Sequence, residues 1–186
     1  MIDNKELDCS NPGMALADCR DWSDEMLERE CRWEAFRGPG PGGQKRNKTS
    51  SAVRVTHIPT GISATAGEQR SQAANRKLAW KRLRLSLVLE LRHPISALDE
   101  WVVPDWFDAV RGNDRILISR KDLRYFQTVG LVFDVLDSKG YSVSDTAGQL
   151  GISTGALVDF LFLDDAVRQA VNRSRQTHGL RPLIGK

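Results

Sequence analysis

The sequence predicts an α+β fold: a small mixed or antiparallel sheet with a long basic helix, then an all-helical C-terminal unit holding a helix-turn-helix-like pair. Three observations predict it. Short segments between residues 31 and 66 alternate apolar and polar residues, as half-buried strands do. Between residues 71 and 91 the apolar period changes to that of a helix. After residue 119 helical patterns recur, punctuated by Gly140 and Gly151.

The chain has 186 residues, enough for one domain with an appendage or two small domains. Hydrophobic residues at 40% and charged ones at 27% exclude wholesale disorder. No apolar run approaches the roughly 18 to 20 residues that span a bilayer. In the first 36 residues Lys5, Arg20, Arg29 and Arg32 stand against a clear excess of Asp and Glu, the opposite of a secretory or transit leader. Cys9, Cys19 and Cys31 are odd in number and form no CxxC, so reduced thiols are expected rather than disulfides or a zinc site. A cytoplasmic protein without membrane association, metal or cofactor is the expectation.

Charge is strongly segregated. Every acid between residues 37 and 92 is accounted for by Glu68 and Glu90, among many Lys and Arg, although the whole chain is only +3. Such segregation points to a polyanionic partner for the middle segment, whereas a surface built for solubility mixes its signs.

Taken in order, residues 1–22 read as a mobile arm, polar and broken by Asn11-Pro12-Gly13. Ser23 caps a short helix through Asp24, Glu25 and Met26. Cys31 to Phe36 reads as a strand. Gly38 to Gln44, with Pro39 and Pro41, can be neither helix nor ladder. Ala52 to His57 and Ile62 to Ala66 form a hairpin around Pro59-Thr60-Gly61. On the helix of 71–91, Arg70, Lys77, Lys81, Arg84 and Arg92 share one sector. Trp80, Leu83, Leu87 and Leu91 form an apolar stripe on one side of it, and Leu78, Leu85 and Leu89 a second on the other. The sheet is the expected first neighbour and the C-terminal helices a candidate second. Residues 93–118 read as a connector. Ser119 then caps a helix on which Phe126, Val129, Phe133 and Leu136 share a face, ended by Gly140. Short helices at 144–150 and 154–163, joined by Leu150 to Ser153, precede a last helix at roughly 164–177. The domain division is therefore 1–22, 23–92, 93–118 and 119–186.

Two motif matches fail on context. Gly38, Gly40 and Gly43 satisfy GxGxxG, but no helix opens there and the next acid is Glu68, so a dinucleotide turn is excluded. A phosphate-binding P-loop needs Lys after the last glycine, and Gln44 stands there. Gly151 to Gly155 matches GxSxG, yet a helix precedes it where a nucleophile elbow needs a strand. Ser153 then reads as an N-cap. The helix of 154–163 carries no Lys or Arg, so a three-helix packing unit is favoured there over major-groove binding.

The run Gly42-Gly43-Gln44, Asn47-Lys48-Thr49, Ser51-Ala52-Val53-Arg54, His57-Ile58-Pro59-Thr60-Gly61 and Arg70-Ser71-Gln72 with Asn75 resembles the GGQ domain of class I peptide chain release factors. The resemblance covers about residues 24–92. It departs at Pro39 and Pro41, which stiffen the approach to the loop, and at Arg46, where a small apolar residue is usual. Residues 115–186 do not resemble the stop-codon-reading domains of those factors. The resemblance implies ribosome-dependent hydrolysis of peptidyl-tRNA, with large-subunit ribosomal RNA and peptidyl-tRNA as partners and a monomer off the ribosome. It also allows for a methyltransferase that modifies Gln44.

The residue types suit that chemistry. Ester hydrolysis passes through a tetrahedral oxyanion that needs positioned N–H donors in a dry site. Gly42 and Gly43 let the backbone approach RNA without a Cβ clash, which aims the Gln44 N–H at the terminal adenosine, the role the family implies. A neutral amide cannot be a general base, so the Gln44 side chain is left to orient or exclude small nucleophiles. Candidate RNA contacts are Arg37, Lys45, Arg46, Asn47, Lys48, Arg54, Arg70, Gln72, Arg76, Lys77, Lys81 and Arg84. His57, at a strand end, reads as structural or RNA-contacting rather than as a catalytic base. Neither Pro-x-Thr nor Ser-Pro-Phe, the stop-codon-reading tripeptides of the family, occurs in the sequence, and a decoding domain does not fit before residue 37; codon-independent rescue of stalled ribosomes is the expectation. The stretch 168–186, with Arg168, Arg173, Arg175, Arg181 and Lys186 and no acid, is a candidate tail for an RNA path empty of message. The alternative is a non-catalytic RNA- or ribosome-binding module that uses the basic helix and the helix-turn-helix.

Overall fold

The computed structural model describes residues 23–37, 51–95, 101–122 and 124–185. The chain divides into two compact units, 1–87 and 88–186.

In the first unit the order is α1 (Asp24–Arg29), β1 (Cys31–Phe36), β2 (Ala52–His57), β3 (Ser63–Ala66) and α2 (Gln72–Glu90), whose last turn crosses the division. Ser23 starts α1 as expected: its Oγ accepts the Met26 N–H at 3.2 Å. The three strands form an antiparallel sheet in the order β1-β2-β3. The hairpin between β2 and β3 closes where the sequence placed it. Gly61 takes φ +70° and donates to the His57 carbonyl at 2.9 Å. The Thr60 hydroxyl lies 2.8 Å from His57 Nδ1. Val53, Val55, Ala64 and Ala66 are buried on one sheet face, while Arg54 and Thr65 on the other are exposed.

Helix α2 spans Gln72–Glu90, close to the expected range. Its buried row differs from the two expected stripes. Asn75, Ala79, Leu83 and Leu87, each four residues apart, are the buried positions, joined by Val88. Trp80, Leu78, Leu85, Leu89 and Leu91 flank this row and are half-buried. An apolar count along the sequence passes over Ala79 and Asn75, because one is small and the other polar. Yet a close helix-to-sheet approach favours a small residue, and a buried amide fits where backbone partners meet it. Arg92 also departs from the expected basic sector. It lies beyond the helix end, donates to the carbonyls of Val88 and Leu91 and to that of Leu89, and covers the Phe133 ring at 4.8 Å. The unsatisfied carbonyls of a helix C-terminus are a natural partner for a guanidinium.

The second unit holds α3 (Asp105–Asp108), β4 (Arg111–Gly112), β5 (Arg115–Ile116), α4 (Tyr125–Ser138), α5 (Val143–Leu150), α6 (Thr154–Leu161) and α7 (Asp165–Thr177). The connector region thus contains a one-turn helix and a two-stranded hairpin. Asn113 and Asp114, both at positive φ, make its tight turn. Ser119 does not cap a helix. Its Oγ accepts the Lys121 N–H at 3.2 Å in a local turn, and α4 starts at Tyr125 with no side-chain cap. Helix α4 is buried from Thr128 through Leu136 on every side, so it is the central helix of the unit rather than one with a single apolar face. Ser142, Ser153 and Asp164 cap α5, α6 and α7 through their side chains. Gly151, at φ +65°, ends α5, and a Cβ there would collide with the Arg111 guanidinium that donates to the Leu150 carbonyl. No helix among the described residues is long and apolar enough to cross a membrane.

Candidate functional site

Gly42, Gly43 and Gln44, with Lys45, Arg46, Asn47 and Lys48, lie outside the described residues, as do the arm of 1–22, Cys9, Cys19 and Lys186. Their attachment to the fold is described at both ends. Phe36, at the end of β1, pairs with Ala52, at the start of β2, so the segment 37–51 leaves and re-enters the sheet at one register pair. Asn75 holds the return side. Its Nδ2 donates to the Ser51 carbonyl at 2.7 Å and to the Gln69 carbonyl at 2.9 Å, while its Oδ1 accepts the Gln69 N–H at 2.9 Å. On the outgoing side the Arg54 guanidinium covers the Phe36 ring at 5.2 Å.

The candidate cations separate into two groups. Arg54 pairs with Glu34 at 3.1 Å on the exposed sheet face. Arg76 pairs with Glu28 at 3.2 Å and lies 4.8 Å from the centre of the Trp33 ring, so it joins α2 to α1 and β1. Arg82, which was not among the candidates, pairs with Glu68 and donates to the Thr65 carbonyl at 2.8 Å. Its guanidinium holds the Glu68 carboxyl below the usual carboxylate range. Arg70, Lys77 and Lys81 are exposed and have no ion partner among the described residues. Arg37 and Gln72 are exposed too, and Arg84 is half-buried. Three of the sequence candidates on or beside α2, then, present charge without an ion partner among the described residues, which is what a phosphate backbone needs. Missed partners such as Glu28 and Glu34 had one sequence signal: they sit just before an otherwise basic segment.

His57 is buried, and burial holds its imidazole below its ordinary value, in its neutral form near pH 7. With Nδ1 at the Thr60 hydroxyl it braces the hairpin. Cys31 is half-buried beside Glu30 and Glu28, and burial first, then these carboxylates, push its thiol up to about 12. Ser153 Oγ accepts the Ala156 N–H at 3.2 Å, as an N-cap does. Among the described residues no group of three or more His, Cys, Asp or Glu is arranged to hold a metal ion.

The stretch 168–186 starts inside α7, where Val171 is fully buried. Arg168 pairs with Asp165, and Arg175 donates to the carbonyls of Tyr141 and Arg181. The Asn172 side chain both donates to and accepts from the backbone of Leu183, at 3.2 and 2.7 Å, which straps the end of the chain along α7. Only Arg173 and Arg181 of this set are exposed and lack an ion partner among the described residues.

Paired strands, the Asn75 clamp and the exposed cations of α2 all fall within one stretch of sequence that matches a known family. Residues 21–97 match the RF-1 domain. The chain is 55% identical over 63 residues to peptide chain release factor 2 of Paramagnetospirillum magneticum, covering 34% of this chain and 17% of that protein. It is 45% identical over 82 residues to peptide chain release factor 1 of Acidiphilium cryptum, covering 44% and 23%. Against peptide chain release factor 1 of Lawsonia intracellularis the identity is 47% over 85 residues, covering 46% and 23%. The chain spans about a fifth of the length of the curated relatives it matches.

Proposed function

We propose that this chain hydrolyses the ester of peptidyl-tRNA on the ribosome without reading a codon, by placing its Gly42-Gly43-Gln44 loop in the peptidyl transferase centre. The observation that carries the reading is the intact tripeptide inside the RF-1 domain match, spanned between the paired residues Phe36 and Ala52. In this mechanism water adds to the ester carbonyl, the tetrahedral oxyanion collapses, and the ribose 3′-oxygen leaves as a hydroxyl after taking up a proton. The nascent peptide departs as a carboxylic acid. The Gln44 N–H donates to charge that develops in the transition state. Arg70, Lys77 and Lys81 hold RNA phosphates and set the register of the loop, while ribosomal RNA supplies the rest of the site. The place of action is the cytoplasm, where ribosomes are.

The codon-independent part is supported by residues 115–186, which follow the stretch matching the RF-1 domain, include helices α4 to α7 and do not resemble a stop-codon-reading domain. The test compares Gln44→Pro, which removes the N–H, with Gln44→Ala, which keeps it, in peptide release at saturating protein. Loss of one such donor is worth about 3 kcal/mol, or roughly a hundredfold or more in rate. Equal rates for the two folded variants place catalysis elsewhere. On ribosomes stalled on truncated message, release should proceed, and a stop triplet in the A site should not speed it; strict dependence on a stop triplet overturns the codon-independent reading.

A further inference from the structure

We propose that Asn75 is a positioning residue for the Gly42-Gly43-Gln44 tripeptide, acting through the backbone of Ser51; the inference rests on the release reading above. Asn75 sits in the first turn of α2 with none of its surface exposed, on a row otherwise made of Ala79, Leu83 and Leu87. An amide on an apolar row is tolerated only if its two N–H donors and its oxygen find partners. All three are used, and all on backbone: the carbonyls of Ser51 and Gln69, and the Gln69 N–H.

Part of the role is stability, because a buried backbone carbonyl or N–H left without a partner is costly. What the amide adds is a fixed relation between three chain segments that the sheet ladder does not connect: the start of α2, the turn before it, and the point where segment 37–51 rejoins β2. Ser51 is covalently continuous with Gln44 and immediately precedes Ala52, the partner of Phe36. Freeing its carbonyl loosens the return anchor of the segment while β1, β2 and the cations of α2 stay in place. Catalysis through a backbone donor is sensitive to such loosening, because a misplacement of about 1 Å costs on the order of a hundredfold in rate. Docking through exposed cations is not, because phosphate contacts are long-ranged and adjustable.

The experiment is single-turnover peptide release on stalled ribosome–nascent-chain complexes, with the protein concentration varied. Asn75→Ala and Asn75→Asp are compared with Leu83→Ala, a core truncation about two turns further along the same row. Asn75→Asp keeps an oxygen for the Gln69 N–H but sets a carboxylate oxygen against two carbonyls, so it should be at least as impaired as Asn75→Ala. Both should lower the saturated rate by roughly ten- to a hundredfold, with the half-saturating concentration unchanged within about twofold. Leu83→Ala, where folded, should keep the saturated rate. An unchanged saturated rate in folded Asn75→Ala, or a loss confined to half-saturation, overturns the proposal. If Asn75→Ala does not fold, Asn75→Ser, which keeps a hydroxyl, is judged by the same two numbers.

Amide exchange on the free protein is read in parallel. Asn75→Ala should speed exchange at Gln69, Ala52 and Val53, whereas Leu83→Ala should speed it along α2. Unchanged exchange at those three amides overturns the positioning role. If the native protein releases no peptide while exchange responds as expected, the release reading fails and the Ser51 anchor stands.

Discussion

The Arg76 guanidinium lies 4.8 Å from the centre of the Trp33 ring and 3.2 Å from the Glu28 carboxylate, although Lys77, the next residue on the same helix, has no ion partner among the described residues. Adjacent cations on α2 therefore do different work, and mutation should separate them. Arg76→Ala removes a partly exposed ion pair and a cation–ring interaction, and should lower stability by about 1 kcal/mol. Its effect on ribosome affinity should be smaller than that of Lys77→Glu with Lys81→Glu. The double variant should leave the thermal midpoint nearly unchanged while it flattens the salt dependence of binding, by about 0.7 to 0.9 in slope for each phosphate that is no longer neutralised. Thermal unfolding and binding at three salt concentrations check both halves. A steep salt slope retained in the double variant would place the RNA footprint off this helix face.

Burial holds His57 below its ordinary value of 6.5, so the unfolded chain binds the proton more readily than the folded one. The sign follows directly. Stability is full above about pH 6.5 and is lost as the pH falls below it, toward the folded value. Glu68, Asp122 and Asp165, all lowered by Arg partners, contribute their own loss only below their ordinary values of 4.5 and 3.8. Thermal midpoints between pH 7.5 and 5.5 should therefore fall in the native protein, and the fall should be smaller in His57→Gln. An identical fall in the variant assigns the acid sensitivity to another group.

Asn172 fixes the backbone of Leu183 through two hydrogen bonds, and Arg175 holds the Arg181 carbonyl at 3.0 Å. Asn172→Ala should free residues 180–185 at a cost of about 1 to 2 kcal/mol in local stability. Limited proteolysis with chymotrypsin should then cut after Leu180 or Leu183 much faster than in the native chain, with α7 itself intact by circular dichroism. Equal cutting rates would mean that the strap does not hold in solution.

Cys31 should be a poor nucleophile. With its thiol pushed up to about 12 from an ordinary 9.0, its thiolate fraction near pH 8 falls on the order of a thousandfold. In a Cys9→Ser, Cys19→Ser background, alkylation by iodoacetamide at pH 8 should be far slower for the folded protein than in denaturant. Comparable rates would show that the Cys31 thiol is neither shielded nor perturbed.

The features legible in the sequence are those whose cause is local. Ser23 and Ser153 accept N–H groups three residues ahead, so a cap can be read from a short window. The β2–β3 turn was legible for the same reason, with Gly61 supplying the positive φ. The hairpin of β4 and β5 was not, because each strand is two residues long and its turn is Asn113-Asp114 rather than Asn-Gly. Ser119 misled because a serine before a helical pattern also closes a tight turn, and it closes one with Lys121.

By itself the sequence determined the order of the longer elements on either side of the connector, the Gly42-Gly43-Gln44 tripeptide and the excess of positive charge in the middle segment, since these depend on residue identity and short spacing. Only the tertiary structure decided which charges and amides are committed. Arg76 meets a carboxylate 48 positions away, Asn75 a carbonyl 24 positions away, and Arg175 a carbonyl 34 positions away. Such partners are brought within hydrogen-bond reach by sheet pairing and helix packing, and no window of sequence contains both. An arginine in solvent and one spent on a carbonyl look the same along the chain; the difference lies in whether folding places an acceptor about 3 Å from its guanidinium.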